Sequence, residues 1–118
     1  TNSFKGKIDE LRIYSRAVAP KKLRYRAGDL DGLQQQSLTT GKKTFSESIN
    51  SRSLVLEADV ETRGQNVEVI VESQNGASDP IELSNDKERY QIDGLSTMAQ
   101  NYSLKIEMDS NKTHAPLI

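Results

Sequence analysis

The sequence predicts an all-β protein: a small antiparallel β-sandwich or jelly-roll-like module, preceded by a flexible or partly ordered N-terminal segment. Three observations predict it. From residue 44 onward, apolar and polar side chains alternate with period two, in Leu54-Leu56-Ala58-Val60, in Val67-Val69-Val71 and in Tyr102-Leu104-Ile106-Met108. Such alternation turns one set of side chains inward and the other to solvent. The runs are short, and turn-forming stretches separate them: Thr62-Arg63-Gly64, Asn75-Gly76 and Asp109-Ser110-Asn111-Lys112. Short strands at this spacing point to a sandwich. With 34% hydrophobic and 28% charged residues, the chain can fill only a thin core, so a marginal domain with one core is expected.

The elements follow in order. Residues 8–14 read as a strand, because Leu11 and Ile13 alternate with polar neighbours after Gly6. Pro20 suits the first turn of a short helix, Lys21 to Ala27 supply two turns, and Gly28 is a reasonable stop. Residues 29–43 carry no period and read as a linker. Phe45 and Ile49 then share one face of a short segment. The Leu54–Val60 and Val67–Val71 runs are expected to form a hairpin across the Gly64 turn. Short strands are expected around Ile81 and Leu83 and around Tyr90 and Ile92, and a strong one over Tyr102–Met108. Leu117-Ile118 reads as the start of a last strand that is cut short.

Charge divides the chain in the same place. Residues 1–30 hold eight Lys/Arg against three Asp/Glu, and residues 31–118 hold eight against fourteen. The expected organisation is therefore a first unit over 1–28, a linker over 29–43 and a β-module over 44–118. A lone strand cannot satisfy its backbone or bury Leu11 and Ile13. Residues 1–40 are thus expected not to pack stably, and removing residues 1–38 to leave the melting temperature of the remainder nearly unchanged.

Composition excludes several chemistries. The 118 residues include no Cys, which rules out disulfides, thiolate metal sites and Cys nucleophiles. There is no Trp, so a broad sugar-stacking platform is hard to build. No apolar run approaches the roughly 20 residues of a membrane helix, and no membrane insertion is expected. The chain opens at Thr1 without an initiator Met and reads as a piece of a longer protein.

The stretch Phe4-Lys5-Gly6-Lys7-Ile8-Asp9-Glu10-Leu11-Arg12-Ile13-Tyr14-Ser15-Arg16-Ala17-Val18 resembles the end of a LamG-like, concanavalin A-like jelly-roll domain. Pro20 to Tyr25 resembles the short helix that often trails such a domain. Residues 41–118 are similar to a β-sandwich module that follows these domains in prokaryotic, archaeal and phage surface proteins. Its opening strand corresponds to Thr44–Ile49, its central hairpin to Leu54–Ser73 and its closing segment to Tyr102–Ile118. Ser53 and Glu72-Ser73 stand where such modules usually carry Trp and Arg. The resemblance implies an extracellular or cell-surface setting.

Each candidate site residue also has a plain structural role. His114 is the single histidine. With no Cys beside it, it supports neither a zinc site nor a Ser-His-Asp triad, and it reads as an exposed turn or edge residue. Glu57, Asp59, Glu68 and Glu72 could furnish a glycosidase pair, but each alternates with core residues and reads as part of a solvated sheet face. Asp29-Leu30-Asp31-Gly32 resembles part of a calcium loop yet lacks its later oxygen ligands. Ser84-Asn85-Asp86 and Asp109-Ser110-Asn111 are similar polar turns. Lys21, Lys22, Arg24 and Arg26 surround Tyr25, but one tyrosine in an otherwise acidic chain makes no nucleic-acid surface. That cluster is expected to pack on an upstream sandwich or stay solvated. Asn101 and Asn111 head glycosylation triplets.

These readings lead to no catalytic residue, no metal and no cofactor. The expected function is a non-catalytic structural or adhesive module of a secreted or cell-surface protein. Its expected partners are neighbouring domains of the parent chain and a weakly held glycan or surface protein. The alternative is an accessory, carbohydrate-binding type of module attached to a carbohydrate-active enzyme.

Overall fold

A computed structural model describes residues 7–15, 22–26, 37–62, 64–95 and 98–109. Ten strands make up this part of the chain: β1 (Lys7–Ser15), β2 (Lys22–Arg26), β3 (Ser37–Thr39), β4 (Lys43–Asn50), β5 (Leu54–Glu61), β6 (Asn66–Ser73), β7 (Gly76–Ala77), β8 (Ile81–Glu82), β9 (Arg89–Gln91) and β10 (Met98–Asp109). Among the described residues there is no α-helix, and a single 3-10 turn, Ser51–Ser53, links β4 to β5. Every strand pairing is antiparallel. The result is an all-β antiparallel sandwich, compatible with a jelly roll.

One sheet has the order β2-β1-β5-β9. The other is built around β10 and β6. β3 and β4 both pair with β10, and β7 and β8 both pair with β6. The alternation seen in the sequence sets the faces. Leu11 and Ile13 of β1, Leu23 and Tyr25 of β2, and Leu56 of β5 point inward from the first sheet. Val67, Val69 and Val71 of β6 and Tyr102, Leu104 and Ile106 of β10 meet them from the second. The two layers are tied directly: the Tyr25 hydroxyl donates to the Tyr102 carbonyl at 2.9 Å inside the core. The Tyr102 ring packs edge-on against Phe45, with centroids 5.8 Å apart.

Side chains complete the ladders where regular pairing fails. β4 bulges between its two contacts with β10, and the Gln100 amide donates to the Phe45 carbonyl at 2.9 Å in the gap. Beyond β3, the Thr40 hydroxyl accepts from the Leu104 N–H at 2.9 Å, and the Thr40 N–H donates to the Leu104 carbonyl. In the 3-10 turn, the buried Ser51 hydroxyl donates to the Leu95 carbonyl. Buried polar groups left unpaired cost stability, so these serine, threonine and glutamine positions are part of the fold.

Four expectations are corrected. The Leu54–Val60 and Val67–Val71 runs are not a hairpin: β5 lies between β1 and β9, and β6 lies in the opposite sheet. Either arrangement buries the same apolar faces, so alternation alone does not choose. The four residues between Glu61 and Asn66 can span the roughly 10 Å between stacked sheets. Gly64 holds this crossing with φ of 81°, and the Asn85 side chain accepts from the Thr62 N–H. Secondly, Lys22–Arg26 is a strand, not part of a helix. Leu23 and Tyr25 point inward while Arg24 and Arg26 are exposed, a period-two pattern that the helix signals of Pro20 and Gly28 masked. Thirdly, part of the expected linker is ordered as β3, whose Leu38 packs on the core. Fourthly, β1 and β2 pack. β1 pairs with β2 on one side and with β5 on the other, so the first sheet draws strands from both sides of the boundary expected near residue 30. Pro20, Gly28, residues 29–36 and the short final segment at Leu117-Ile118 lie outside the described residues.

Gly94 is tightly enclosed. Its φ is 81°, and an added Cβ would sit 2.5 Å from the Asp79 carboxylate. The Asp79 N–H donates to the Asp93 carbonyl at 2.8 Å, which holds the two loops together. Gly94→Ala is expected to cost about 1–3 kcal/mol in urea unfolding. Adding Asp79→Ala should recover the steric part and leave the backbone part, a non-additive pair that a double-mutant cycle reads out.

Candidate functional site

The outward side chains of the first sheet form rows across its strands. Arg24, Arg12, Glu57 and Arg89 lie side by side on β2, β1, β5 and β9. Lys22, Tyr14, Val55 and Gln91 form the next row. At the centre, Glu57 is buried despite its outward position, with 7% of its surface exposed. Its carboxylate accepts from Arg12 Nε at 3.0 Å and lies 3.1 Å from Lys22 Nζ, while Arg89 Nε donates to its second oxygen at 3.2 Å. Arg12 also pairs with Glu10, and Arg26 Nε lies 3.9 Å from the other Glu10 oxygen.

Burial alone would push the Glu57 carboxyl up. Hydrogen bonds from Lys22, Arg12 and Arg89 outweigh that and hold it below the ordinary carboxylate range. Glu10 is lowered chiefly by its hydrogen bond from Arg12. A carboxyl lowered on folding stabilises the native state above its unfolded value, and that contribution fades as pH falls through the folded value. Glu57→Gln is therefore expected to cost about 1.5–3 kcal/mol at neutral pH. It should cost progressively less below about pH 4.5, the ordinary value. Urea melts of both proteins from neutral pH to pH 2 check the convergence. Arg89→Ala should cost under about 1 kcal/mol, because that side chain is 76% exposed and solvent screens its pair.

Beside this cluster is a cleft of about 230 Å3, lined by Tyr14, Lys22, Val55, Glu57 and Arg89. Lys22 Nζ sits 5.4 Å from the centre of the Tyr14 ring. A second, larger cleft of about 520 Å3 lies where the β7–β8 and β9–β10 loops meet, with Asp79, Glu82, Asp93, Lys87 and Tyr90 in its wall. The Tyr90 hydroxyl is fixed there, accepting from the Ser84 N–H and facing the Ser84 and Lys87 carbonyls.

The four carboxylates weighed as a glycosidase pair fall on two sides of the sandwich. Glu57 and Asp59 lie on the outer face of the first sheet, and Glu68 and Glu72 on that of the second. Of the polar turns, Ser84-Asn85-Asp86 uses two of its side-chain oxygens within the protein: the Asn85 oxygen accepts from the Thr62 N–H, and the Ser84 hydroxyl accepts from the Asp86 N–H. Asn101 lies within β10, half-buried, and its side-chain oxygen accepts from the Thr44 hydroxyl at 2.7 Å. His114, Asn111 and Asp29–Gly32 lie outside the described residues. Among the described residues no group of three His, Cys, Asp or Glu is placed to hold a metal, and no helix is long and apolar enough to cross a membrane.

Sequence reasoning missed Arg12, Lys22 and Arg89 as partners of Glu57. Lys22 carried a readable signal, the alternation of Lys22-Leu23-Arg24-Tyr25-Arg26. The rest depends on register between residues up to 45 positions apart. Set against protein-family models, curated proteins and solved structures, the chain matches none.

Proposed function

We propose that this chain is a non-catalytic structural or adhesive module of a secreted or cell-surface protein, whose first described strand is the closing strand of a LamG-like unit. Glu57 carries the reading. Both of its oxygens are engaged by cationic side chains, one by Arg12 and Lys22 and the other by Arg89, so it acts as a fixed charge that organises a polar face. The cleft beside it offers Tyr14 as an apolar surface and Lys22 and Arg89 as donors, a combination suited to holding a glycan or a protein side chain.

The test pairs two measurements. Incubation with a panel of glycans and esters should give no turnover. NMR titration with the same glycans should move signals of Tyr14, Lys22 and Arg89, with loss of those shifts in Tyr14→Ala. Hydrolysis abolished by Glu57→Gln, in protein that remains folded, would overturn the reading.

A further inference from the structure

The turn between β6 and β7, Ser73-Gln74-Asn75-Gly76, holds the one Asn-Gly pair in the sequence. Asn75 and Gly76 are both exposed. Gly76 has φ of 153°, a conformation that glycine adopts readily. The Ser73 hydroxyl spans the turn, accepting from the Asn75 N–H at 3.0 Å and donating to the Gly76 carbonyl at 3.1 Å. Gly76 opens β7, which is two residues long and exposed throughout. So short a strand opens locally without unfolding of the domain.

The same turn completes the start of β10. Pairing of β10 with β6 ends at Tyr102 and Ser73. Beyond that pair, two turn side chains bond the β10 backbone. Gln74 Oε1 accepts from the Asn101 N–H at 3.1 Å, and Asn75 Nδ2 donates to the Met98 carbonyl at 2.8 Å. Side-chain amides thus stand in for a strand where β6 runs out.

We propose that Asn75 is a site of spontaneous deamidation, and that the reaction releases the turn from the start of β10. Gly76 has no side chain to shield its nitrogen. When the hairpin end opens, that nitrogen attacks Cγ of Asn75. The N–Cγ bond forms, the Cγ–Nδ2 bond breaks, and the Gly76 amide proton leaves with Nδ2 as ammonia. Water then opens the succinimide ring at either carbonyl, giving an aspartyl or an iso-aspartyl linkage. Water is consumed, ammonia is released, and nothing is oxidised or reduced. The other described asparagines, Asn50, Asn66, Asn85 and Asn101, precede Ser51, Val67, Asp86 and Tyr102, whose side chains crowd the same approach. The new carboxylate cannot donate to the Met98 carbonyl, and its charge faces that oxygen. The iso-aspartyl form also lengthens the backbone next to the Ser73–Gly76 pair and disrupts it. The inference stands on this turn and does not depend on glycan binding.

Incubation of the full chain at mildly alkaline pH, followed by peptide mapping in a mass spectrometer, tests it. The peptide holding Asn75 should become one mass unit heavier, with the iso-aspartyl form the larger product. Peptides holding the other described asparagines should stay unchanged. Asn75→Gln, whose longer side chain closes the ring far more slowly, should not react. In Asn75→Asp, which carries the product's charge, the Asn101 N–H should exchange about two- to tenfold faster than in the parent chain, the worth of one hydrogen bond. The deamidated chain should show the same increase. No mass gain at Asn75 in the folded chain overturns the proposal, and so does earlier reaction at another described asparagine. Asn101 exchange that stays unchanged in both Asn75→Asp and the deamidated chain overturns the release of β10.

Discussion

A chain shortened to residues 37–118 is expected not to fold at room temperature. The cut removes β1 and β2, and with them Ile8, Leu11, Ile13, Leu23 and Tyr25 from the core. At about 1.5–3 kcal/mol for each buried side chain, their burial is worth about 7–15 kcal/mol. A domain of this size has a total stability in the same range, about 5–15 kcal/mol. The shortened chain saves the entropy of ordering the deleted residues, yet what remains is worse off than that saving suggests. The first sheet shrinks to β5 and the three-residue β9, and a two-stranded ribbon is marginal in water. The face of Phe45 and Tyr102 loses its cover, and Glu57 loses both Arg12 and Lys22. Far-ultraviolet circular dichroism and urea melts of the two chains check this. A shortened chain with a cooperative transition near that of the full one would show that the first two strands are dispensable.

Tyr102→Ala is expected to cost about 3–5 kcal/mol, the usual range for truncating a large buried aromatic side chain. Tyr102 is fully buried at the middle of β10, the central strand of its sheet, and Phe45 packs against its ring edge. Removing the ring leaves a cavity between the sheets that rigid ladders on both sides cannot close. Tyr102→Phe keeps the ring and loses the 3.4 Å hydrogen bond to the Ile49 carbonyl, so its cost should be nearer 1 kcal/mol. Urea unfolding should show a large drop in midpoint for the first variant and a small one for the second, with slopes unchanged.

The strands with several alternating apolar positions were legible in the sequence: β1, β5, β6 and β10 lie where Leu11-Ile13, Leu54-Leu56-Ala58, Val67-Val69-Val71 and Tyr102-Leu104-Ile106 place them. Pairing was not legible. The inward faces of β5 and β6 are equally buried as neighbours in one sheet or as opposing layers, and in the structure β5 pairs with β1 and β6 with β10, each over eight positions. β3 has a single apolar residue, Leu38, and gives no period to read. β2 shows its alternation plainly, but over five residues it competes with helix signals at either end. The Glu57 cluster illustrates the larger limit. Arg12, Lys22 and Arg89 become neighbours only once three strand registers are known, and local sequence around each shows a charged residue on a solvated face.

The candidate face requires β1 to be an inner strand of the first sheet. Amide hydrogen exchange measures this most directly. Lying between β2 and β5, the N–H groups of Leu11 to Tyr14 all fall within ladders, and they should exchange only through unfolding of the whole domain, as slowly as those of Leu104 to Ile106 in β10. Exchange of the Leu11–Tyr14 amides at the rate of an unstructured peptide, while β10 stays protected, would contradict the account.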